Sequence, residues 1–189
     1  MAETIGIFAL QGDFEKHKTA VEKTGCKALL VKTAQSLAKC DKLIIPGGES
    51  TTFLKLVDKF EMRKPIMDFA CEHKIMGTCA GLIILAKNVL NFELTPLGLI
   101  DITVERNAYG RQIDSFVDSI SLKLNGEIHN FEGVFIRAPK IKTFGNNVVV
   151  LAEHKGEAVM AADGNILVAA FHPELTDDLT VHNYFINNF

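Results

Sequence analysis

The sequence predicts an α/β fold with a mostly parallel central sheet and some antiparallel additions. In the first half of the chain, short continuously apolar runs alternate with amphipathic stretches, a pattern typical of parallel strands covered on both faces by helices. In the second half, strand-like runs flank the turn signals Asn125-Gly126 and Asp163-Gly164, which favour antiparallel pairing. These two observations set the expected architecture.

The first half predicts four strands and four helices. Asp13 is a good N-cap and Gly25 a good terminator for the first helix. The strand candidates are residues 5–10, 28–31, 43–45 and 75–76, and the helix candidates are residues 13–24, 50–60, 64–73 and 82–87.

The second half predicts mainly strands, closed by one helix. The strand candidates are residues 99–104, 115–124, 133–136, 148–152, 158–162 and 166–171, and the helix is expected at 178–187. The sequence contains no internal repeat, low-complexity segment or linker, so we expect a single domain over residues 1–189.

Composition excludes several classes of function. The chain has 189 residues, 48% of them hydrophobic, and a formal net charge of -3, which argues against a surface for nucleic acid or anionic membranes. No apolar run approaches the roughly 18 residues of a membrane span, and residues 1–6 show no basic segment followed by an apolar block, so we expect no secretory signal. The four cysteines form no C-x-x-C pair, so we expect reduced thiols and a cytoplasmic location.

The most informative segment joins a strand candidate to a helix candidate through Gly77, Cys79 and Gly81. This spacing is the pattern of a nucleophile elbow with sulfur in place of oxygen. A sharp strand-to-helix turn strains the backbone and leaves no room for side chains two residues to either side of the nucleophile. The backbone N–H of Ala80 would then help to hold an oxyanion. A buried cysteine at a glycine-rich turn is the alternative.

A base for this thiol is expected in His172-Pro173-Glu174, which directly follows the apolar run 166–171. Ligands of doubly wound sheets bind at the carboxyl ends of the strands, where Cys79 and His172 both fall. Glu174 can accept a hydrogen bond from one imidazole nitrogen and leave the other facing the sulfur. Each residue alone could equally be a satisfied histidine or a surface carboxylate, but together they favour a Cys-His-Glu triad.

A third motif, Pro46-Gly47-Gly48-Glu49-Ser50, follows another buried strand. A glycine pair lets backbone N–H groups approach a ligand closely and so suits a developing oxyanion. Ser50 and Thr51 are good N-caps for the next helix. A phosphate loop is a weak alternative, because neither G-x-x-x-x-G-K-[ST] nor G-x-G-x-x-G is present.

With these motifs the sequence resembles the class I, triad-type glutamine amidotransferases. The resemblance rests on Pro-Gly-Gly-Glu-Ser-Thr-Thr, Gly-Thr-Cys-Ala-Gly and Phe-His-Pro-Glu-Leu-Thr. Three further segments resemble one subfamily in particular, the glutaminase subunits of pyridoxal 5′-phosphate synthases. They are residues 9–13, 104–112 and 133–139. The resemblance extends from about residue 5 to the last helix.

The resemblance implies a flavodoxin-like three-layer sandwich and assigns roles to individual residues. Cys79 would be the nucleophile, with His172 and Glu174 completing the triad, and no metal or organic cofactor is needed. Gln11 would respond to a partner protein. The implied glutamine contacts are Gly48, Glu49, Ser50, Arg106, Ile136 and Arg137, and the implied oxyanion hole is Gly47, Gly48 and Ala80.

The implied reaction is hydrolysis of L-glutamine to glutamate and ammonia. The ammonia would pass to a synthase subunit that builds pyridoxal phosphate from a pentose phosphate and a triose phosphate, and activity without that partner would be weak. We expect the acceptor on another polypeptide, since 189 residues leave no room for an ammonia-using domain. The alternatives are a cysteine hydrolase or stress protein of the related flavodoxin-like type, a non-catalytic glutamine-binding or scaffold subunit, and the glutaminase subunit of another pathway, such as imidazole glycerol phosphate synthesis.

Overall fold

A computed structural model describes residues 3–106 and 115–189. Within these ranges the chain forms twelve strands, six α-helices and a short 3-10 helix at Pro173–Leu175. The strands are β1 (Thr4–Phe8), β2 (Lys27–Val31), β3 (Lys42–Ile45), β4 (Lys74–Thr78), β5 (Ala86–Leu90), β6 (Ile100–Glu105), β7 (Ser115–Leu124), β8 (Glu127–Ile136), β9 (Lys140–Phe144), β10 (Val149–His154), β11 (Glu157–Asp163) and β12 (Ile166–Ala169). The α-helices are α1 (Phe14–Lys23), α2 (Ala34–Leu37), α3 (Ser50–Lys59), α4 (Arg63–Glu72), α5 (Ala80–Leu85) and α6 (Thr180–Asn187).

The large sheet confirms the predicted fold class. Its strand order is β2-β1-β3-β4-β12-β11-β10-β7-β8. The first five strands pair in parallel, and the remaining pairs are antiparallel. Because parallel strands all point the same way, the carboxyl ends of β1, β3, β4 and β12 lie along one edge of the sheet.

The parallel part of the sheet is covered on both faces. Successive residues of β1, β3, β4 and β12 are buried almost without interruption, although their side chains point alternately to opposite faces. Phe8 of β1 stacks on Phe53 of α3 with ring centroids 5.2 Å apart. Helices α1 and α6 meet each other through His17 and His182. This packing holds the strand ends in place.

The predicted helix at 82–87 is wrong at its carboxyl end. Helix α5 stops at Leu85, and Ala86 begins strand β5, which pairs with β6 in a second, three-stranded sheet of order β5-β6-β9. All six residues of α5 are buried, so the segment is apolar all round and has no amphipathic period to mark its end. Strands β5 and β9 and the four-residue helix α2 were not predicted.

Strand β8 is six residues longer than the predicted 133–136. The polar stretch at 127–132 has little strand character of its own. It forms a strand because the turn at Asn125-Gly126 pairs all ten residues of β7 with β8. Part of the motif at 104–112, from Asn107 to Gln112, lies outside the described residues. In the described ranges, every helix is too short or too polar to cross a membrane.

Candidate active site

The sequence-predicted site residues meet at the carboxyl edge of the parallel strands. Cys79 follows β4, His172 is the third residue after β12, and the loop 46–48 follows β3. The register pairs Ile45 with Gly77 and Ala169 with Thr78, so the three strand ends are level. The topology therefore brings together segments that lie far apart in the sequence.

Cys79 occupies a strained turn between β4 and α5. Its φ and ψ are 49° and -102°, in a region that costs a non-glycine residue about 1–3 kcal/mol. Its N–H donates to the carbonyl oxygen of Ala169 at 2.8 Å, which ties the turn to β12. A Cβ on Gly77 would lie 2.7 Å from the carbonyl carbon of Gly81, and a Cβ on Gly81 would overlap the carbonyl oxygen of Ile45, so this turn requires both glycines.

His172 and Glu174 form a buried pair beside this turn. His172 Nδ1 lies 2.7 Å from Glu174 Oε1, and the two residues are 3% and 5% exposed. The backbone N–H of His172 donates to the carbonyl oxygen of Val134 at 2.8 Å, and Pro173 then starts the 3-10 helix that turns Glu174 back toward the ring. This hydrogen bond leaves Nε2 as the nitrogen available for proton transfer.

Each member of this pair stabilises the charged form of the other, which shifts both pKa values. Burial lowers the pKa of His172, but the neighbouring thiol of Cys79 and the carboxylate of Glu174 outweigh it and raise that pKa to about 10. Burial raises the pKa of Glu174, but His17 and His172 hold it well below its usual range. Cys79 Sγ lies 3.8 Å from the carbonyl oxygen of Ile136, and His172 Nε2 has no hydrogen-bond partner among the described residues. An imidazole in this state can exchange a proton with a substrate.

The loop 46–48 lies directly against both side chains. A Cβ on Gly47 would lie 2.5 Å from Cε1 of His172 and 3.3 Å from Cβ of Cys79. The carbonyl oxygen of Gly47 accepts a hydrogen bond from the N–H of Asp13 at 3.3 Å. Ala80 is the first residue of α5, where backbone N–H groups have no partner within the helix. The backbone of the loop 46–48 and the first residue of α5 thus both lie beside Cys79.

Glu49, not Ser50 or Thr51, caps helix α3. Its carboxylate accepts hydrogen bonds from the N–H groups of Thr51 at 3.0 Å and Thr52 at 2.6 Å. Burial raises the pKa of Glu49, but the hydrogen bonds from Thr51 and Thr52 together outweigh it and lower that pKa to about 2. Ser50 is instead the first residue inside the helix and is buried. The predicted caps are wrong because a carboxylate can accept from two N–H groups at once.

Charged groups of both signs adjoin the loop 46–48, which Glu49 directly follows. Arg106 Nη2 lies 3.7 Å from Glu49 Oε1, and its guanidinium lies 4.4 Å from the ring centroid of Phe92. The carbonyl oxygen of Ile136 faces Cys79, and Arg137 follows with φ of 42°. Gln11 Oε1 accepts from the N–H of Glu49 at 3.3 Å, which connects the end of β1 to the same loop.

Sequence reasoning missed several residues that border this site. His17, Thr78 and His182 are fully buried and linked by hydrogen bonds next to Glu174. No local motif could have indicated them, since His17 and His182 are 165 residues apart. Potential ligand atoms of Asp13, His172 and Glu174 lie within 4.8 Å of one another. Because His172 and Glu174 already bond to each other, chemistry without a metal stays our prediction.

A cysteine on a strained strand-to-helix turn, beside a buried histidine–carboxylate pair, is the arrangement of an α/β enzyme with a thiol nucleophile. Residues 7–189 match the SNO glutamine amidotransferase family, and the chain belongs to that family.

The relatives are similar over nearly their whole lengths. A protein of Thermosipho africanus named pyridoxal 5′-phosphate synthase subunit PdxT is 46% identical, with 97% of each chain covered. One of the same name from Anoxybacillus flavithermus is 49% identical, covering 97% of this chain and 95% of the relative.

Solved structures agree with the architecture. A crystal structure of a glutamine amidotransferase is 40% identical and superposes with a TM-score of 0.91 over 96% of both chains. A structure of PurLQS from Thermotoga maritima, at 15% identity and a TM-score of 0.68 over 95% of this chain and 92% of that one, shares the fold.

Proposed function

We propose that this chain is a glutaminase, which hydrolyses the side-chain amide of L-glutamine and supplies ammonia for pyridoxal 5′-phosphate synthesis. The observation that carries the proposal is the placement of His172 between Cys79 and Glu174, in a family of glutamine amidotransferases. The relatives named pyridoxal 5′-phosphate synthase subunit PdxT support the pathway.

Because a pKa of about 10 keeps His172 protonated at neutral pH, the reaction starts with the proton already on His172 Nε2 and the sulfur of Cys79 ready to attack. The sulfur then attacks the side-chain carbonyl carbon of glutamine, and backbone N–H groups of Gly47, Gly48 and Ala80 stabilise the oxyanion. An amide nitrogen leaves poorly unless it is protonated, so His172 gives the proton to it as the C–N bond breaks and ammonia departs.

Hydrolysis of the resulting thioester uses the same groups. A water gives one proton to His172 Nε2 and its oxygen attacks the thioester carbonyl. Collapse of this second tetrahedral intermediate breaks the C–S bond, releasing glutamate and restoring the sulfur. Throughout, Glu174 holds the imidazole ring and compensates its positive charge.

The residues around the thiol fit a zwitterionic amino acid. Glutamine carries an α-ammonium and an α-carboxylate, and Glu49 and Arg106 offer a charge opposite to each. Gly48, Ser50, Ile136 and Arg137 complete the proposed contacts. The Ile136 carbonyl next to Cys79 supports this assignment, since it brings β8 up to the reacting sulfur.

We further propose that the ammonia acceptor is the synthase subunit of pyridoxal 5′-phosphate synthase, and that both proteins act in the cytoplasm. Four cysteines without a disulfide are consistent with a reducing compartment.

The test combines this chain with glutamine, a pentose phosphate, a triose phosphate and the synthase partner. We expect ammonia release together with glutamine-dependent formation of pyridoxal phosphate, and loss of both with Cys79→Ala. Ammonia release without pyridoxal phosphate would point to the glutaminase of another pathway. No ammonia release from the complex would overturn the proposal in favour of a different cysteine hydrolase or a non-catalytic subunit.

A further inference from the structure

A pair of fully buried histidines extends the polar network behind the proposed triad. His17 Nδ1 of α1 lies 3.0 Å from His182 Nε2 of α6. The other nitrogen of His17, Nε2, lies 3.2 Å from Glu174 Oε2 and 3.0 Å from Thr78 Oγ1. All these side chains are buried, and Thr78 immediately precedes Cys79. The mechanism above uses neither histidine, although both lie directly behind its carboxylate.

The position of one proton follows from the carboxylate. Glu174 stays ionised because His17 and His172 hold its pKa well below the usual range, so both its oxygens only accept hydrogen bonds. A bare lone pair on His17 Nε2 would repel Oε2 across 3.2 Å. His17 Nε2 therefore carries a hydrogen, which it donates to Thr78 Oγ1 at 3.0 Å, while the same N–H edge faces Glu174 Oε2 at 3.2 Å.

The second proton follows from His182. Burial lowers the pKa of His182 to about 3, so the ring is neutral and carries one hydrogen. His182 Nδ1 has no hydrogen-bond partner among the atoms that the structure describes. A hydrogen there would be an unpaired buried donor, which folded proteins rarely contain. The hydrogen thus lies on Nε2 and is donated to His17 Nδ1.

These contacts converge on the carboxylate of Glu174. His182 Nε2 lies 3.0 Å from His17 Nδ1, His17 Nε2 lies at an ion-pair distance of 3.2 Å from Glu174 Oε2, and His172 Nδ1 donates to Glu174 Oε1. A carboxylate whose two oxygens face two different imidazoles loses both contacts when it rotates about its terminal bond. The orientation of Glu174, and through it that of His172, is therefore determined from two sides.

We propose that His17 is a positioning residue of the glutaminase reaction, which holds Glu174 against His172 while His182 fixes the tautomer of His17. This inference rests on the proposed function. Residues that orient a metal-bound histidine from behind change activity on the order of 10- to 100-fold when they are removed, and His17 stands in the same relation to His172 through Glu174. We expect an effect of that size on kcat, with little change in KM, because His17 does not contact glutamine.

The test compares two amides at position 17 in the complex with the synthase partner. The side-chain amide in His17→Gln reaches the place of Nε2 and can donate to Glu174, whereas the shorter amide in His17→Asn reaches only the place of Nδ1. We expect His17→Gln to keep kcat within a few-fold of the unmodified chain and His17→Asn to lose on the order of 10- to 100-fold. The control is His129→Gln, a partly exposed histidine on β8.

The pH profile separates positioning from a structural role. Glu174 raises the pKa of His172, so the alkaline limb of kcat/KM should move to lower pH in His17→Asn and stay in place in His17→Gln. Equal kcat values for the two variants, or an unmoved limb in a folded His17→Asn, would overturn the proposal. If His17→Asn does not fold, His17→Gln decides alone, since a displaced limb in that variant also overturns it. Failure of the proposed function would show earlier, as absent ammonia release from the unmodified complex.

Discussion

Replacement of Gly47 by alanine tests whether the loop after β3 packs against the imidazole of His172 during catalysis. The φ of Gly47 lies outside the left-handed range, so alanine can adopt its backbone conformation. The new methyl group, however, would lie 2.5 Å from Cε1 of His172, where ordinary contact begins near 3.4 Å. The imidazole must therefore retreat by about 1 Å, and it is held by a 2.7 Å hydrogen bond to Glu174.

The expected effect falls on catalysis. A misplacement of about 1 Å in a catalytic group can cost on the order of 10²-fold in rate, so we expect kcat of Gly47→Ala to fall by about that factor. Overpacking should lower the free energy of unfolding by about 1–3 kcal/mol, which leaves the fold intact. The assay is glutamine-dependent ammonia release by the complex, with kcat and KM measured separately.

Gly25→Ala is the matched control for this substitution. A Cβ on Gly25 meets nothing within 4 Å, but its φ of +87° makes alanine cost about 1–2 kcal/mol in stability. We expect this variant to lose stability and to keep kcat. A Gly47→Ala enzyme with the kcat of the unmodified chain would refute the reasoning, because the loop would then not lie against His172 during turnover.

Three further predictions concern single residues. Glu174→Gln removes a charge that raises the pKa of His172, so the alkaline limb of the pH profile of kcat/KM should move to lower pH. We also expect kcat to fall on the order of 10²- to 10⁴-fold. An unmoved limb would contradict the pairing of His172 with Glu174. Because the folded-state pKa of Glu49 is lowered to about 2 from 4.5, its contribution to stability is present above pH 4.5 and lost as pH falls toward 2. The stability difference between the unmodified chain and Glu49→Gln in urea should shrink over that window, and a constant difference would exclude this cause. Gly81→Ala places a methyl group against the carbonyl oxygen of Ile45 and should lower the free energy of unfolding by about 1–3 kcal/mol, whereas an unchanged urea midpoint would show that the turn can relax.

The parallel half of the fold could be predicted because its strands are continuous apolar runs. Strands such as β3 and β12 are buried on both faces, so their sequences differ sharply from the turns around them. The same burial conceals the end of α5, where an apolar run passes from helix to strand at Ala86 without any change in pattern. Strand β9 has four residues that are not fully buried and owes its conformation to pairing with β6, which is remote in sequence.

The residues of the proposed site also fall into two groups, those with a local sequence signal and those without one. Cys79 and the loop 46–48 carry local signals, because a tight turn and a close backbone approach both demand glycine nearby. His17 and His182 carry none, since a histidine in an amphipathic helix can equally be a surface residue. Only the packing of α1 against α6 brings them together behind Glu174. Long-range polar networks of this kind depend on tertiary structure and have no sequence period.

The most direct test of the central claim is a mass measurement of Cys79 during turnover. The complex with the synthase partner is mixed with glutamine, quenched in acid and digested, and the peptide that contains Cys79 is weighed. The account predicts a glutamyl thioester on Cys79 that disappears once glutamine is exhausted. Ammonia release with Cys79 unmodified, or with the glutamyl group on another residue, would contradict it.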